Sequence, residues 1–149
     1  MPTAFTESLI NLEPGSFTFA LIKPDIYPVH LKEILRILEC NDLVTLKSKH
    51  LILSPIQARA LYYENIGKDF YERNLEFITS GMTYAAILQG PDCLFKWRAM
   101  MGCTDSSRAH PETLRGLFGN HKVMHENGFH GSDSPISALR ESILFFGED

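Results

Sequence analysis

The chain has 149 residues, which is the length of one compact domain with a single core. Its composition, with 44% hydrophobic and 21% charged residues, is typical of a soluble globular protein and excludes a disordered one. The formal net charge of −4 offers no overall attraction to nucleic acid or to an anionic membrane, so a phosphate site must concentrate positive charge locally.

The N-terminus and the cysteines predict a cytoplasmic location. Residues 1–15, MPTAFTESLINLEPG, contain acidic residues but neither Lys nor Arg, so we expect no signal or transit peptide there. Cys40, Cys93 and Cys103 lie far apart and form no Cys-x-x-Cys motif, which is typical of free thiols in a reducing compartment. No apolar run approaches the ~18 residues that are needed to span a bilayer.

The sequence divides into an N-terminal arm over residues 1–16 and a single domain over residues 17–149. The domain opens with FTFALIK at 17–23, a short apolar run that predicts a buried strand. Residues 29–41 carry leucine and isoleucine at helical spacing and predict an amphipathic helix, and residues 42–53 alternate as a second strand does.

Two helical patterns follow within residues 54–81, and Ser54 supplies an N-cap with proline at the first helical position. The sequence MTYAAILQG at 82–90 predicts a third strand, and residues 91–102 predict a short helix that starts at proline and ends at glycine. Residues 103–122 are rich in turn formers and charges and show no clear periodicity.

The last part of the chain contains FHGSDSP at 129–135, after which Ser134 can cap a helix over residues 134–146. The elements therefore follow the order β-α-β-(α-α)-β-(α, loop)-β-α. Two β-α-β halves that meet in one antiparallel sheet form the ferredoxin-like arrangement. The predicted fold class is α+β, a four-stranded antiparallel sheet with helices packed on it.

Three cationic side chains are candidates for binding phosphate. Lys23 lies in IKPD, where a strand leads into a helix, and it could contact phosphate as a mobile point charge or be a solvated lysine. Arg98 and Arg115 could each pair with phosphate oxygens through two parallel hydrogen bonds, or form surface ion pairs. Thr104 could add a hydroxyl donor or be an ordinary loop residue.

Aromatic residues in the pair of helices allow two interpretations. Tyr62 and Phe70 stand at helical spacing, which usually indicates a core position. The alternative is a platform on which a nucleobase stacks.

His121 and His125 in HKVMH raise the question of a metal site, because histidines at i and i+4 of a helix can share one ion. The motif contains no internal glutamate, and no helix cap supports the stretch. We therefore predict no metal held by the protein.

His130 is the candidate nucleophile. A neutral imidazole can accept a phosphoryl group if one ring nitrogen faces the phosphate and the other is held by a hydrogen bond. Glu141 on the following helix could hold it, fix its tautomer and stabilise positive charge on the ring. We expect Gly131 to allow a tight turn and Ser132 to supply a small donor, and the alternative for His130 is a hydrogen-bonded core ring.

Four segments taken together resemble the nucleoside diphosphate kinase family. They are ALIKPD at 20–25, FITSG at 77–81, LRG at 114–116 and N-x-x-HGSDS at 127–134. The resemblance runs from about residue 17 to residue 146, in the order of the family and nearly at its spacing.

The resemblance implies a set of site residues. It places the phosphorylated histidine on His130, with Glu141 and Ser132 supporting it. The nucleotide-binding positions that it implies are Lys23, Tyr62, Phe70, Arg98, Thr104, Arg115 and Asn127, with Phe70 stacking on the base and Asn127 contacting the sugar.

The resemblance also implies the reaction. A nucleoside triphosphate would give its γ-phosphoryl group to the histidine, and a second nucleoside diphosphate would then take it in a ping-pong cycle. Mg²⁺ would be carried by the nucleotide phosphates, and the protein would form a homo-oligomer, a hexamer as is frequent in the family, or a dimer or tetramer.

The sequence departs from the family pattern near the predicted base site. The segment between Arg115 and His130 is longer than is common, and Asn74 stands where an apolar residue is usual. These departures leave a catalytically weak nucleotide-binding or regulatory scaffold as the alternative function. A binder of single-stranded nucleic acid is disfavoured by the acidic net charge and by the lack of a basic stripe.

Overall fold

The computed structural model describes residues 3–148; the first two residues of the predicted arm and the last residue of the predicted domain lie outside the described residues. Four antiparallel strands form one sheet in the order β2-β3-β1-β4. They are β1 (Phe17–Ile22), β2 (Val44–Leu51), β3 (Thr83–Gln89) and β4 (Phe129–Gly131). This order confirms the predicted ferredoxin-like sheet.

Seven α-helices accompany the sheet within residues 3–148. They are α1 (Ala4–Ile10), α2 (Tyr27–Cys40), α3 (Pro55–Leu61), α4 (Tyr71–Ile78), α5 (Cys93–Met101), α6 (Leu114–Phe118) and α7 (Pro135–Phe146). Two predicted caps are confirmed: Ser54 accepts a hydrogen bond from the backbone of Gln57 at the start of α3, and Ser134 accepts one from Ser137 at the start of α7.

The sheet is covered on both faces, which is why β1 is buried along its whole length. Helices α2 and α5 pack on one face, where the fully buried Trp97 of α5 belongs to the same core cluster as Ala20 and Ile22. Helices α1, α3, α4 and α7 pack on the other face, where Phe19 stacks on Phe145 with ring centroids 4.7 Å apart. No helix among residues 3–148 combines the length and apolarity needed to cross a bilayer.

Two short helices were not predicted from the sequence. Residues 103–122 contain α6, which Thr113 caps by accepting a hydrogen bond from Gly116. Five residues are too short to display a helical period, so the pattern could not indicate this helix. The second is α1 in the predicted arm, whose Leu9 is only 2% exposed and belongs to the core on the α7 face of the sheet. The division of the chain into an arm and a domain at residue 16 stays a prediction.

Candidate active site

The pairing of β1 with β4 brings the two main candidate residues to one end of the sheet. Leu21 is directly opposite His130, and the backbone N–H of Lys23 donates to the carbonyl of Gly128 at 2.8 Å. Lys23, the first residue after β1, therefore lies beside the strand that carries His130, although the two are far apart in sequence.

A buried carboxylate orients the His130 ring. Nε2 of His130 lies 2.8 Å from Oε1 of Glu141, and the Ser132 hydroxyl donates to the same oxygen at 2.9 Å. Ser132 in turn accepts a hydrogen bond from the backbone of Phe19 at 3.2 Å. Since a carboxylate can only accept, the bonding proton lies on Nε2, and in the neutral ring Nδ1 keeps the lone pair.

The ring and its strand are also held by packing. The Tyr62 and His130 ring centroids lie 6.2 Å apart at an interplanar angle of 89°, and the indole N–H of Trp97 donates to the His130 carbonyl at 3.2 Å. A Cβ on Gly131 would lie 2.6 Å from the Trp97 indole. The prediction that Gly131 allows a tight turn is therefore wrong. Gly131 lies where α5 packs closely against β4, and its φ is not positive.

Two buried cations form the floor of the site. Lys23 and Arg115 are only 7% and 9% exposed. Lys23 donates to Oδ1 of Asn127 at 2.9 Å, and the Asn127 amide donates to the Thr104 carbonyl at 2.9 Å. Arg115, which lies in α6, donates to the carbonyls of Gly102 and Phe129, both at 2.9 Å, while its Nε is buried without a partner.

The electrostatics of these cations indicate an anionic ligand. Burial, with the Arg115 charge as a second cause, lowers the pKa of Lys23 from 10.5 to about 7. Burial, with the Arg98 charge as a second cause, lowers the pKa of Arg115 from its ordinary value to about 10. Positive charges held this close together repel each other, and phosphate oxygens between them would relieve the repulsion.

Nine of the ten predicted site residues line one open cavity of about 1010 Å³. Ser132 is the exception, because it is fully buried behind Glu141. Arg98 is exposed at the rim and donates to the Ser132 carbonyl at 3.2 Å. Phe70, which is 40% exposed, lies at the start of α4 on the cavity wall. The residues that line it are Lys23, Tyr62, Phe70, Arg98, Thr104, Arg115, Asn127, His130 and Glu141.

The cavity also contains residues that were not predicted. Arg140 of α7 contacts Glu141, and Lys122 and His125 line the wall from the loop between α6 and β4. The position of Arg140 next to Glu141 in the sequence was the only available signal for it.

The pair His121 and His125 is not arranged as a metal site. Neither residue lies in a helix: the His121 ring bonds to the Gly116 carbonyl, and the His125 ring packs edge-on against Phe77. Within residues 3–148, no three His, Cys, Asp or Glu side chains group in a way that could hold a metal ion.

A cleft with buried cations beside an oriented imidazole is typical of enzymes that transfer phosphoryl groups. A sequence model of the family described as "Nucleoside diphosphate kinase" matches residues 16–149 of this chain. The chain is also 38% identical over 130 residues to the nucleoside diphosphate kinase of Bdellovibrio bacteriovorus, an alignment that covers 87% of this chain and 91% of that protein.

Solved structures agree with the sequence comparison. The fold matches that of the Aquifex aeolicus nucleoside diphosphate kinase with a TM-score of 0.82 at 30% identity, over 88% of this chain and 94% of that one. The Halobacterium salinarum nucleoside diphosphate kinase, solved in complex with CDP, gives a TM-score of 0.81 at 33% identity, over 87% of this chain and 86% of that one. The chain belongs to the nucleoside diphosphate kinase family, and its reaction is the transfer of a phosphoryl group between nucleotides.

Proposed function

We propose that the transfer proceeds in two steps through a phosphohistidine on Nδ1 of His130. The Nδ1 lone pair attacks the γ-phosphorus of a nucleoside triphosphate, the bond to the β–γ bridging oxygen breaks, and the nucleoside diphosphate leaves. A second nucleoside diphosphate then takes the phosphoryl group from Nδ1 by the reverse reaction. The observation that carries this proposal is the bond from Nε2 to Glu141, which leaves Nδ1 for the phosphate.

The remaining predicted residues bind different parts of the nucleotide. Lys23 and Arg115 neutralise charge on the transferring phosphoryl group from the buried floor, and Arg98 and Thr104 contact the phosphates from the rim. Asn127 contacts the sugar and keeps the Lys23 ammonium in place. Mg²⁺ is bound by the nucleotide phosphates and enters the site as part of the substrate.

Labelling tests this proposal directly. Protein incubated with γ-labelled ATP alone should acquire an acid-labile, base-stable label, and a nucleoside diphosphate added afterwards should remove it as labelled triphosphate. A label that no diphosphate can remove would support the scaffold alternative, as would no label at all. The presence of nine predicted site residues in one cavity favours the enzyme over that scaffold.

We further propose that Phe70 stacks on the nucleobase without reading its hydrogen-bonding edge. Phe70→Ala should raise the KM for every nucleoside diphosphate about tenfold or more with little change in kcat, because base–aromatic stacking contributes about 1–3 kcal/mol. Steady-state kinetics with four bases measure this. Phe95→Ala is the control, since Phe95 is 74% exposed and lies outside the cavity wall. A loss confined to one base would contradict the proposal.

We propose that the protein is a homo-oligomer. Strand β2 is an edge strand of the sheet, and its Val44 and Leu46 are 60% and 39% exposed. The unpaired backbone groups and exposed apolar side chains of an edge strand can pair with another chain. Sedimentation velocity should give a mass above the 16.9 kDa of the monomer.

A reducing compartment such as the cytoplasm is also proposed, since all three cysteines are free thiols.

A further inference from the structure

Arg140 makes three contacts at the back of the cavity. Its Nη2 lies 3.3 Å from Oε2 of Glu141, and its Nη1 donates to the Ala60 carbonyl at 2.9 Å. Its guanidinium carbon lies 4.5 Å from the centroid of the Tyr63 ring. Arg140 therefore bridges α7 and the end of α3.

The contact with Glu141 determines how that carboxylate is held. Oε1 already accepts from His130 and Ser132, so Arg140 is the hydrogen-bond donor that the structure places on Oε2. The Glu141 side chain is only 5% exposed, so an Oε2 without Arg140 would be a carboxylate oxygen buried with little access to water. Loss of this contact lets the carboxylate turn and weakens its hold on Nε2 of His130.

The contact with Ala60 lies at the C-terminal end of α3. Ala60 lies in the last turn of α3, where carbonyls lack partners within the helix and a cation is favourable. The next residue but one is Tyr62, whose ring packs edge-on against His130. The same guanidinium thus acts on His130 from two sides, through Glu141 and through the segment that carries Tyr62.

We propose that Arg140 is a positioning residue for phosphoryl transfer, which fixes both the Glu141 carboxylate behind His130 and the end of α3 that sets Tyr62 against the ring. The inference rests on the proposed phosphohistidine chemistry. It concerns the orientation of His130 and leaves the nucleotide contacts to other residues.

Rapid-quench labelling of Arg140→Gln tests this proposal. We expect phosphorylation of His130 to slow by about tenfold or more, with the nucleotide dissociation constant changed less than about threefold, since removal of an orienting partner typically costs 10- to 100-fold. Arg140→Lys should recover part of the rate, because it keeps the charge but lacks the planar fork that reaches Glu141 and Ala60 together. Arg59→Gln is the matched control, since it removes the same charge from an exposed position of α3.

A second measurement separates positioning from a general loss of structure. The ¹⁵N shifts of the His130 ring should report an Nε2–H tautomer in the wild type and in Arg59→Gln, and a mixture of tautomers in Arg140→Gln. The proposal is overturned if Arg140→Gln transfers at the wild-type rate, keeps the wild-type tautomer, or loses only nucleotide affinity. If the wild type itself takes up no label, the proposed function fails instead.

Discussion

Replacement of His130 by alanine should abolish phosphoryl transfer while leaving nucleotide binding nearly intact. The substitution removes the atom that we propose carries the phosphoryl group, so kcat should fall by at least about 10⁴-fold, as for the loss of other catalytic nucleophiles. The proposed phosphate-binding cations stay in place, because Lys23 and Arg115 are held by Asn127 and by backbone carbonyls. The dissociation constant for a nucleoside diphosphate should therefore change by less than about fivefold.

The control for this variant is His121→Ala. His121 is exposed, lies outside the cavity wall and bonds only to the Gly116 carbonyl among its described hydrogen-bond partners. Transfer and labelling by this variant should match the wild type. An acid-labile label that persists in His130→Ala would assign the phosphoryl carrier to another residue.

Much of this site could be predicted because its residues lie in short motifs at the ends of strands. IKPD begins at the last residue of β1, and HGSDS begins at the second residue of β4. The antiparallel pairing of these two strands is enough to bring Lys23 and His130 together. Ser134 then starts α7 as its N-cap, and Glu141 in the second turn of α7 bonds to His130. Local chemistry and one pairing rule therefore suffice for the centre of the site.

The residues that were missed depend on contacts between distant elements. Arg140 bonds to Ala60, which is 80 positions away, and no local pattern indicates that α3 would end there. The role of Gly131 depends on how closely Trp97 of α5 approaches β4. Side-chain packing of this kind is a property of the assembled layers, which periodicity cannot supply.

Lys23→Met should lower kcat/KM for nucleoside triphosphates by about 10²- to 10³-fold, because it removes the preorganised charge that we propose stabilises the transferring phosphoryl group. It should change the free energy of unfolding little, since the removal of a largely buried cation, whose pKa burial lowers to about 7, offsets the lost hydrogen bond to Asn127. Thermal unfolding and steady-state kinetics test the two statements. Lys32→Met, on an exposed position of α2, is the matched control.

The same lowered pKa predicts that nucleotide binding takes up a proton. At pH 8 the pH lies about one unit above the pKa of Lys23, so roughly nine tenths of the side chains are neutral in the free protein. Bound phosphates favour the charged form and raise this pKa, so each nucleotide should bring nearly one proton onto Lys23. Affinity should therefore fall as pH rises above 7, whereas well below 7 the ionisation of Lys23 should add no pH dependence to binding.

The ionisable groups near Lys23 do not titrate at pH 8 and therefore do not obscure its proton uptake. Burial raises the pKa of Asp25 to about 6 and lowers that of Arg115 to about 10, so at pH 8 the first is ionised and the second is protonated. Calorimetric titration in buffers of different ionisation enthalpy measures the proton uptake. Uptake that is absent in the wild type, or that is unchanged in Lys23→Met, would show that Lys23 binds nucleotide already charged, and its role would reduce to that of a fixed cation.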